Sequence, residues 1–433
     1  MNQPSAKQKK APSRKITLYS FVQSLYLSIS LFFSNDLISS ASACAFGFML
    51  SVIPTIMLIC IVLIRVLHAS PETLSALISG SPFSGQIFNG SYFASLLDSV
   101  HRITNFEIVI SVAIIWMARR FFSSVVIALQ RIFGGEVQPR PLRNQLIIFA
   151  GEILIVAFLS AIIFLSMTAH TIGLFPRFYG FLEPLNRAAE LIARAAAVSV
   201  PFVLIFISCA FAYKFASRTK PPFSSSLIAS AGTTVSFRLL TALFYLFINS
   251  NRYSMVYGVL SSVIVFLMGA LFFFIIFLFF AQWLYVCQFF DTLLLCELYL
   301  LPQQKSRKSL SNIKRFLFLS PDFLTSKKGN TLCLKAGDYV YKKHEESACA
   351  FYIASGTVAL QSGSSETVLE QGTFFGEEQC ILKMSRLEDA VSASDSLIVT
   401  IPYAEFRKLI ERSPKVAGKA FSKIELQAER KQS

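Results

Sequence analysis

Charge is what this sequence has least of. Only 15% of its 433 residues are charged and 54% are hydrophobic, against roughly 25% charged in an ordinary soluble protein. A chain this poor in charge cannot hide its apolar surface in one aqueous core, which excludes a wholly soluble protein. Histidine is also scarce. His68, His101, His170 and His344 are dispersed, with no His-x-His or His-x-x-Asp cluster, so the grouped ligands of a metal-dependent nuclease are missing. The 8 cysteines include no Cys-x-x-Cys pair and several stand in apolar runs, which argues against a disulfide framework or a zinc site. No nucleophile and base stand together, and a non-enzymatic protein is expected.

What the sequence has in excess is phenylalanine, 43 residues of it. The run Leu271 to Phe280 is apolar on every side, as a lipid-facing helix is. A span needs about 20 apolar residues. Segments 41–67, 106–130, 144–169, 190–213, 226–249 and 256–288 meet that requirement. Residues 16–33 are apolar but dotted with Ser, Gln and Tyr, and read as an interfacial helix, with a seventh span as the alternative.

Lys and Arg resist translocation, so basic flanks mark the cytoplasmic side. Lys7, Lys9, Lys10, Arg14 and Lys15 precede the first span. Arg131, Arg140 and Arg143 follow the second, and Lys214, Arg218 and Lys220 follow the fourth. The expectation is a multi-pass protein of the bacterial inner membrane, both termini cytoplasmic, with residues 1–15 as a retained basic tail. Flanking basic residues facing anionic lipid also account for the net charge of +15, so nucleic acid is not an expected partner.

Away from the span ends, five charged residues fall inside the expected spans: Arg119, Arg120, Glu152, Arg194 and Arg238. Such groups are expensive in lipid unless they face water or a partner. They read either as a polar pathway for an anionic or amphipathic solute, or, for Arg119, Arg120 and Glu152, as interfacial side chains that snorkel.

Three stretches carry a family resemblance: Ala41 to Pro54 with Ser51-x-x-Pro54, Gln130-Arg131 followed by Arg140-Pro141-Leu142-Arg143, and Tyr257-Gly258 leading to Ala281-Gln282. Together they resemble the YihY/BrkB family of six-span inner-membrane proteins over roughly residues 20–295. Gln130 replaces the usual Asn, and Gln282 stands where the family often has Glu. The resemblance implies a transporter or permease-like protein of undefined substrate. A non-transporting membrane scaffold that docks a partner is the alternative.

Hydrophobicity falls near Pro302, and residues 301–316 form a polar, basic linker. Beyond it, over 317–425, short alternating segments are punctuated by glycines, the mark of compact β structure. Phe351 and Ile353 alternate before a Ser355-Gly356 turn, Val358 and Leu360 after it, and Leu397, Val399 and Ile401 later. Residues 403–412 turn helical, with Phe406, Leu409 and Ile410 on one face. The expected fold is therefore an all-α polytopic membrane domain (residues 16–300, about six helices) plus a C-terminal β-roll or jelly-roll-like soluble domain with short helices and a 426–433 tail. A fragment from Ser311 to Ser433 is expected to fold alone.

The glycine order, Gly337, Gly356, Gly372 and Gly376, resembles the cyclic-nucleotide-binding β-roll. In that family a Gly-Glu step opens a short helix whose amides cradle a cyclic phosphate, the Glu takes a ribose hydroxyl and a later Arg pairs with the phosphate. The matching residues are Gly376, Glu377 and Arg386. Gln379 replaces a small residue, Ser385 stands before Arg386 in place of Pro, and Arg386 lies one residue further from Val391 than is usual. That shift is expected to swing the guanidinium to the wrong face, and Glu388 and Asp389 add negative charge nearby. Weak or absent cyclic nucleotide binding is expected, with no other cofactor. Expected partners are the lipid bilayer and a solute or a docked protein. The residues after 414 suffice for one basic helix, so no DNA-reading helix-turn-helix is expected.

Overall fold

The computed structural model describes residues 18–65, 121–133, 202–216, 219, 221–247, 259–301, 318, 331–362 and 365–432. The chain divides into two compact units, one of Ser28–Tyr285 and one of Met1–Leu27 with Val286–Ser433. Elements are numbered below among the described residues.

The first unit is helical. It holds the C-terminal part of α1 (Leu18–Ser34), then α2 (Leu37–Arg65), α3 (Phe121–Phe133), α4 (Phe202–Phe215, running into a π-turn over Ala212–Ala216), α5 (Phe223–Phe247) and most of α6 (Val259–Gln288). Two of these, over Phe223–Phe244 and Ile264–Gln288, are long and apolar enough to cross a membrane. A third candidate is the pair α1 and α2, which meet at 68° across Asn35 and Asp36. The bend is local backbone chemistry, since Asp36 takes a positive φ of 50°. The expected span 144–169, most of 106–130 and part of 190–213 lie outside the described residues.

The packing is inverted relative to a soluble protein. On α5, Ser226, Ser230 and Thr233 are fully buried while Ile228, Val235, Leu239 and Leu243 are exposed along one stripe. Each inward hydroxyl donates to a backbone carbonyl three or four residues earlier, Pro222, Leu227 and Ala229 respectively, so no buried donor is wasted. Apolar outside and polar inside is the arrangement expected of a helix bathed in hydrocarbon. Small residues at the contacts (Ala41, Cys44, Ala45, Ala229, Ala270 and Ala281) let backbones approach. At Gly232 an added Cβ would fall within 3 Å of the Phe280 ring. The phenylalanine run of α6 is more than a lipid face. Phe274 and Phe277 are buried, and Phe273 meets Phe237 at 5.1 Å.

The second unit is a β-roll of two four-stranded antiparallel sheets. Its strands are β1 (Thr331–Leu334), β2 (Tyr339–Tyr341), β3 (Cys349–Ser355), β4 (Val358–Ser362), β5 (Ser365–Leu369), β6 (Phe374–Phe375), β7 (Asp389–Ser392) and β8 (Ser396–Pro402), and the sheets run β1-β8-β3-β6 and β2-β7-β4-β5. Tyr341, Phe351, Ile353, Val358, Phe375, Ala390 and Ile398 fill the space between them. Strand β3 is buried on both faces, because helices cover its outer side. The residues that alternate with Phe351 and Ile353, namely Ala350, Tyr352 and Ala354, are therefore buried as well. The tight turn into β4 requires glycine: Gly356 has φ +88°, and a Cβ there would fall 2.6 Å from the Asp395 carbonyl.

Four helices belong to the roll: α7 (Phe290–Leu300), α8 (Glu377–Leu382), α9 (Tyr403–Arg412) and α10 (Pro414–Gln432). Helix α7 packs against α9 and α10. It follows α6 after a single residue, Phe289, whose ring lies 3.6 Å from the Arg412 guanidinium at the end of α9. Helix α10 is basic, with Lys415, Lys419 and Lys423 at four-residue spacing.

Candidate functional site

Of the residues marked in the helical domain, Arg119, Arg120, Glu152 and Arg194 lie outside the described residues. Arg238 is exposed on α5, its guanidinium 4.6 Å from the Phe202 ring centroid. Elsewhere in the unit, polar side chains bond to one another. Tyr213 shares a 2.7 Å hydrogen bond with Thr233 and donates to the Phe277 carbonyl at 2.8 Å. Gln282 is fully buried and accepts from the Asn35 amide at 3.3 Å.

The roll brings Gly376 and Arg386 together. Gly376 precedes α8 with φ +67°, and the Arg386 Nη1 donates to its carbonyl at 2.7 Å. The other arm, Nη2, donates to the Cys349 carbonyl at 2.5 Å. The guanidinium lies 4.3 Å from the Tyr341 ring centroid and 5.2 Å from that of Phe351. Arg386 is only 2% exposed. A planar fork suits two carbonyls set apart, with aromatic faces covering its apolar planes.

The expectation that a one-residue shift would turn Arg386 to the wrong face fails on its premise. Side chains alternate only within a strand, and β7 begins at Asp389, three residues later. Residues before it are irregular, and Arg386 is fixed by a reciprocal backbone pair instead: its N–H donates to the Glu345 carbonyl and its own carbonyl accepts from His344, both at 2.9 Å. The acidic neighbours are also placed. Asp389 accepts from the Lys343 amide at 2.7 Å, and burial raises the carboxyl of Glu388 above its ordinary range.

Glu377 follows Gly376 but faces a different partner. Its carboxylate, 2% exposed, forms an ion pair with Lys423 of α10. One turn earlier on the same helix, Lys419 donates to the Tyr299 carbonyl of α7 at 2.5 Å. Burial and the neighbouring Lys423 lower the pKa of that ammonium. The Tyr299 ring meets Phe374 at 5.2 Å and Phe406 at 5.6 Å, edge to face in both cases. Burial pushes its phenol, and that of Tyr341, above the ordinary range. The thiol of Cys380, also buried, is pushed up to about 11. Tyr299, Lys419 and Lys423 were absent from the expected site. Their only trace in the sequence is the four-residue spacing of Lys415, Lys419 and Lys423, which equally describes a solvated helix face.

Chemically, this site is closed on itself. Both terminal nitrogens of the guanidinium are on carbonyls and the carboxylate is on an ammonium, so these groups recognise an incoming group by exchanging partners. The Arg386 Nε is buried with no hydrogen-bond partner among the described residues. Gly376 holds the arrangement, because a Cβ there would lie 2.5 Å from Arg386 Nη1. Gly376→Ala should destabilise the roll by roughly 2–3 kcal/mol, from left-handed backbone strain and the displaced guanidinium. Urea unfolding of the full chain, followed by pulse proteolysis of the roll, measures it. An unchanged midpoint would mean that the guanidinium moves away without loss.

The profile of the family described as "Virulence factor BrkB" matches residues 29–290, and that described as "Cyclic nucleotide-binding domain" matches residues 331–413. No curated protein matches the chain. Among solved structures, similarity is found to the catabolite activator protein of Thermus thermophilus (21% identity, 24% of this chain and 50% of that one, TM-score 0.21). A cyclic nucleotide-binding-like protein of Brucella abortus shows 24% identity over 21% of this chain and 82% of its own, TM-score 0.18. A structure titled "A cyclic-GMP-dependent signalling pathway regulates bacterial phytopathogenesis" shows 17% identity over 25% and 90%, TM-score 0.22. Likenesses at that level carry no argument about function, and the roll's fold rests on its own strand order and the profile match.

Proposed function

This chain belongs to the BrkB family of membrane proteins and carries a domain of the cyclic nucleotide-binding type, and from that premise we propose that it is a permease-like protein of the bacterial inner membrane. On this reading six spans carry a small anionic or amphipathic solute, both termini are cytoplasmic, and the roll regulates passage. No catalytic chemistry is involved.

The observation that supports it most is Arg238. It stands on a helix whose exposed stripe is otherwise apolar, and an arginine placed in a span is retained at a cost of about 3 kcal/mol. Resting on Phe202, and with no carboxylate against it among the described residues, it can offer a positive charge to an anion. Regulation has a physical route in α7, which follows the last apolar helix after one residue and packs among the helices of the roll.

Full-length protein in liposomes should raise their permeability to small organic anions. Arg238→Ala should lower that flux by about tenfold, whereas Leu239→Ala, on the exposed apolar face, should leave it within about twofold. Flux equal to that of empty liposomes across a panel of anions would favour the scaffold reading.

A further inference from the structure

Glu377 and Lys423 are 46 residues apart in sequence and joined in the fold as an ion pair of unequal members. The carboxylate is 2% exposed and the lysine side chain 25%. Removing a partner from so buried a carboxylate is expensive, whereas the ammonium can swing to water at little penalty. The lysine is therefore the member that leaves. Its departure would not be local. Lys423 lies 5.7 Å and Lys419 5.0 Å from the centroid of the same ring, Tyr299, and Lys419 also caps the C-terminal end of α7 through the Tyr299 carbonyl. One face of α10 thus grips α8 through Glu377 and α7 through Tyr299.

We propose that the Glu377–Lys423 pair is a latch: while it is closed, α10 clamps α7 onto the roll, and when Lys423 is displaced α7 is freed. The inference rests on the reading of α7 as the route from the roll to the membrane domain, and supplies its on and off states. The displacing group must bring a hydrogen-bond donor or a cation to the Glu377 carboxylate, because only such a group keeps that buried charge compensated. Lys419, one turn before Lys423, is held partly by burial at a lowered pKa, with the Lys423 charge adding to that effect.

Hydrogen–deuterium exchange on the full chain in nanodiscs tests this without a ligand. In Lys423→Met, amides of 293–301 and 414–432 should exchange about tenfold faster while β3 and β8 keep their protection, and Lys423→Arg should restore the wild-type rates. Glu377→Gln, which keeps the side chain's shape but weakens the pair, should loosen the same two segments to a smaller degree. Loosening confined to α10, with α7 protected as in the wild type, would overturn the latch. So would loss of protection throughout β3 and β8 in both variants, since the pair would then be a simple element of stability. The flux measurement is independent: absent flux would reject the permease reading and leave these exchange results standing.

Discussion

Arg386→Ala is expected to unfold the roll at far lower denaturant than the wild type. The substitution leaves the Cys349 carbonyl without its guanidinium donor and the Gly376 carbonyl with only the 3.4 Å bond from the Cys380 amide, and opens a cavity beside Tyr341 and Phe351. Two lost charge-assisted hydrogen bonds and the cavity together should remove roughly 3–4 kcal/mol, a shift of about 2 M in urea midpoint for a domain of this size. Arg386→Lys should recover only part of this, because one ammonium cannot serve two separated carbonyls as a planar fork does. Pulse proteolysis of the full chain in urea gives the midpoints. A small shift for Arg386→Ala would show the guanidinium to be dispensable to the fold and free for an anion. A large shift would mean that a ligand phosphate has to compete with the roll's own stability.

Tyr299 offers a pair of substitutions with contrasting outcomes. Its ring is wedged between Phe374 and Phe406, but its hydroxyl is buried with no hydrogen-bond partner among the described residues. Tyr299→Ala should destabilise the roll by about 3–5 kcal/mol, the usual range for deleting a buried aromatic ring. Tyr299→Phe should be neutral or stabilising by up to about 1 kcal/mol, since it removes a buried polar atom that nothing satisfies. The same proteolysis assay separates them. A destabilised Phe variant would mean that the hydroxyl has a partner after all. The ring also bears on where the soluble domain starts. A fragment beginning at Ser311 leaves all of α7 behind, and should be less stable than one beginning at Val286, where the second compact unit resumes.

The roll was largely legible before the structure because its signals are local. Phe406 and Leu409 at helical spacing gave a helix over Tyr403–Arg412, and that is the helix observed. The alternation around Gly356 gave β3, β4 and the turn between them. All four glycines read as turn markers, Gly337, Gly356, Gly372 and Gly376, have positive φ. The site was less legible because its bonds are long-range. Nothing near Glu377 announces Lys423, and the lysine spacing in α10 is indistinguishable from that of a surface helix. For Arg386 the strand-parity argument does not apply, because the residue lies before β7. In the helical domain, composition exposed the apolar lengths but not which hydroxyls point inward. Ser226, Ser230 and Thr233 in α5 look like mild polarity until the packing shows them as the inner face.

The single residue between α6 and α7 has a mechanical consequence. A continuous loop would absorb motion, whereas two helices meeting at Phe289 behave as stiff rods about one joint. Tyr299 lies ten residues beyond that joint, roughly 15 Å along the axis at helical rise. A swing of about 10° at the joint therefore carries the Tyr299 ring some ~2.6 Å, enough to pull it out of edge contact with Phe374 and Phe406, where dispersion attraction has largely decayed. Arg412, stacked on Phe289 at the start of the arm, braces α7 against that swing.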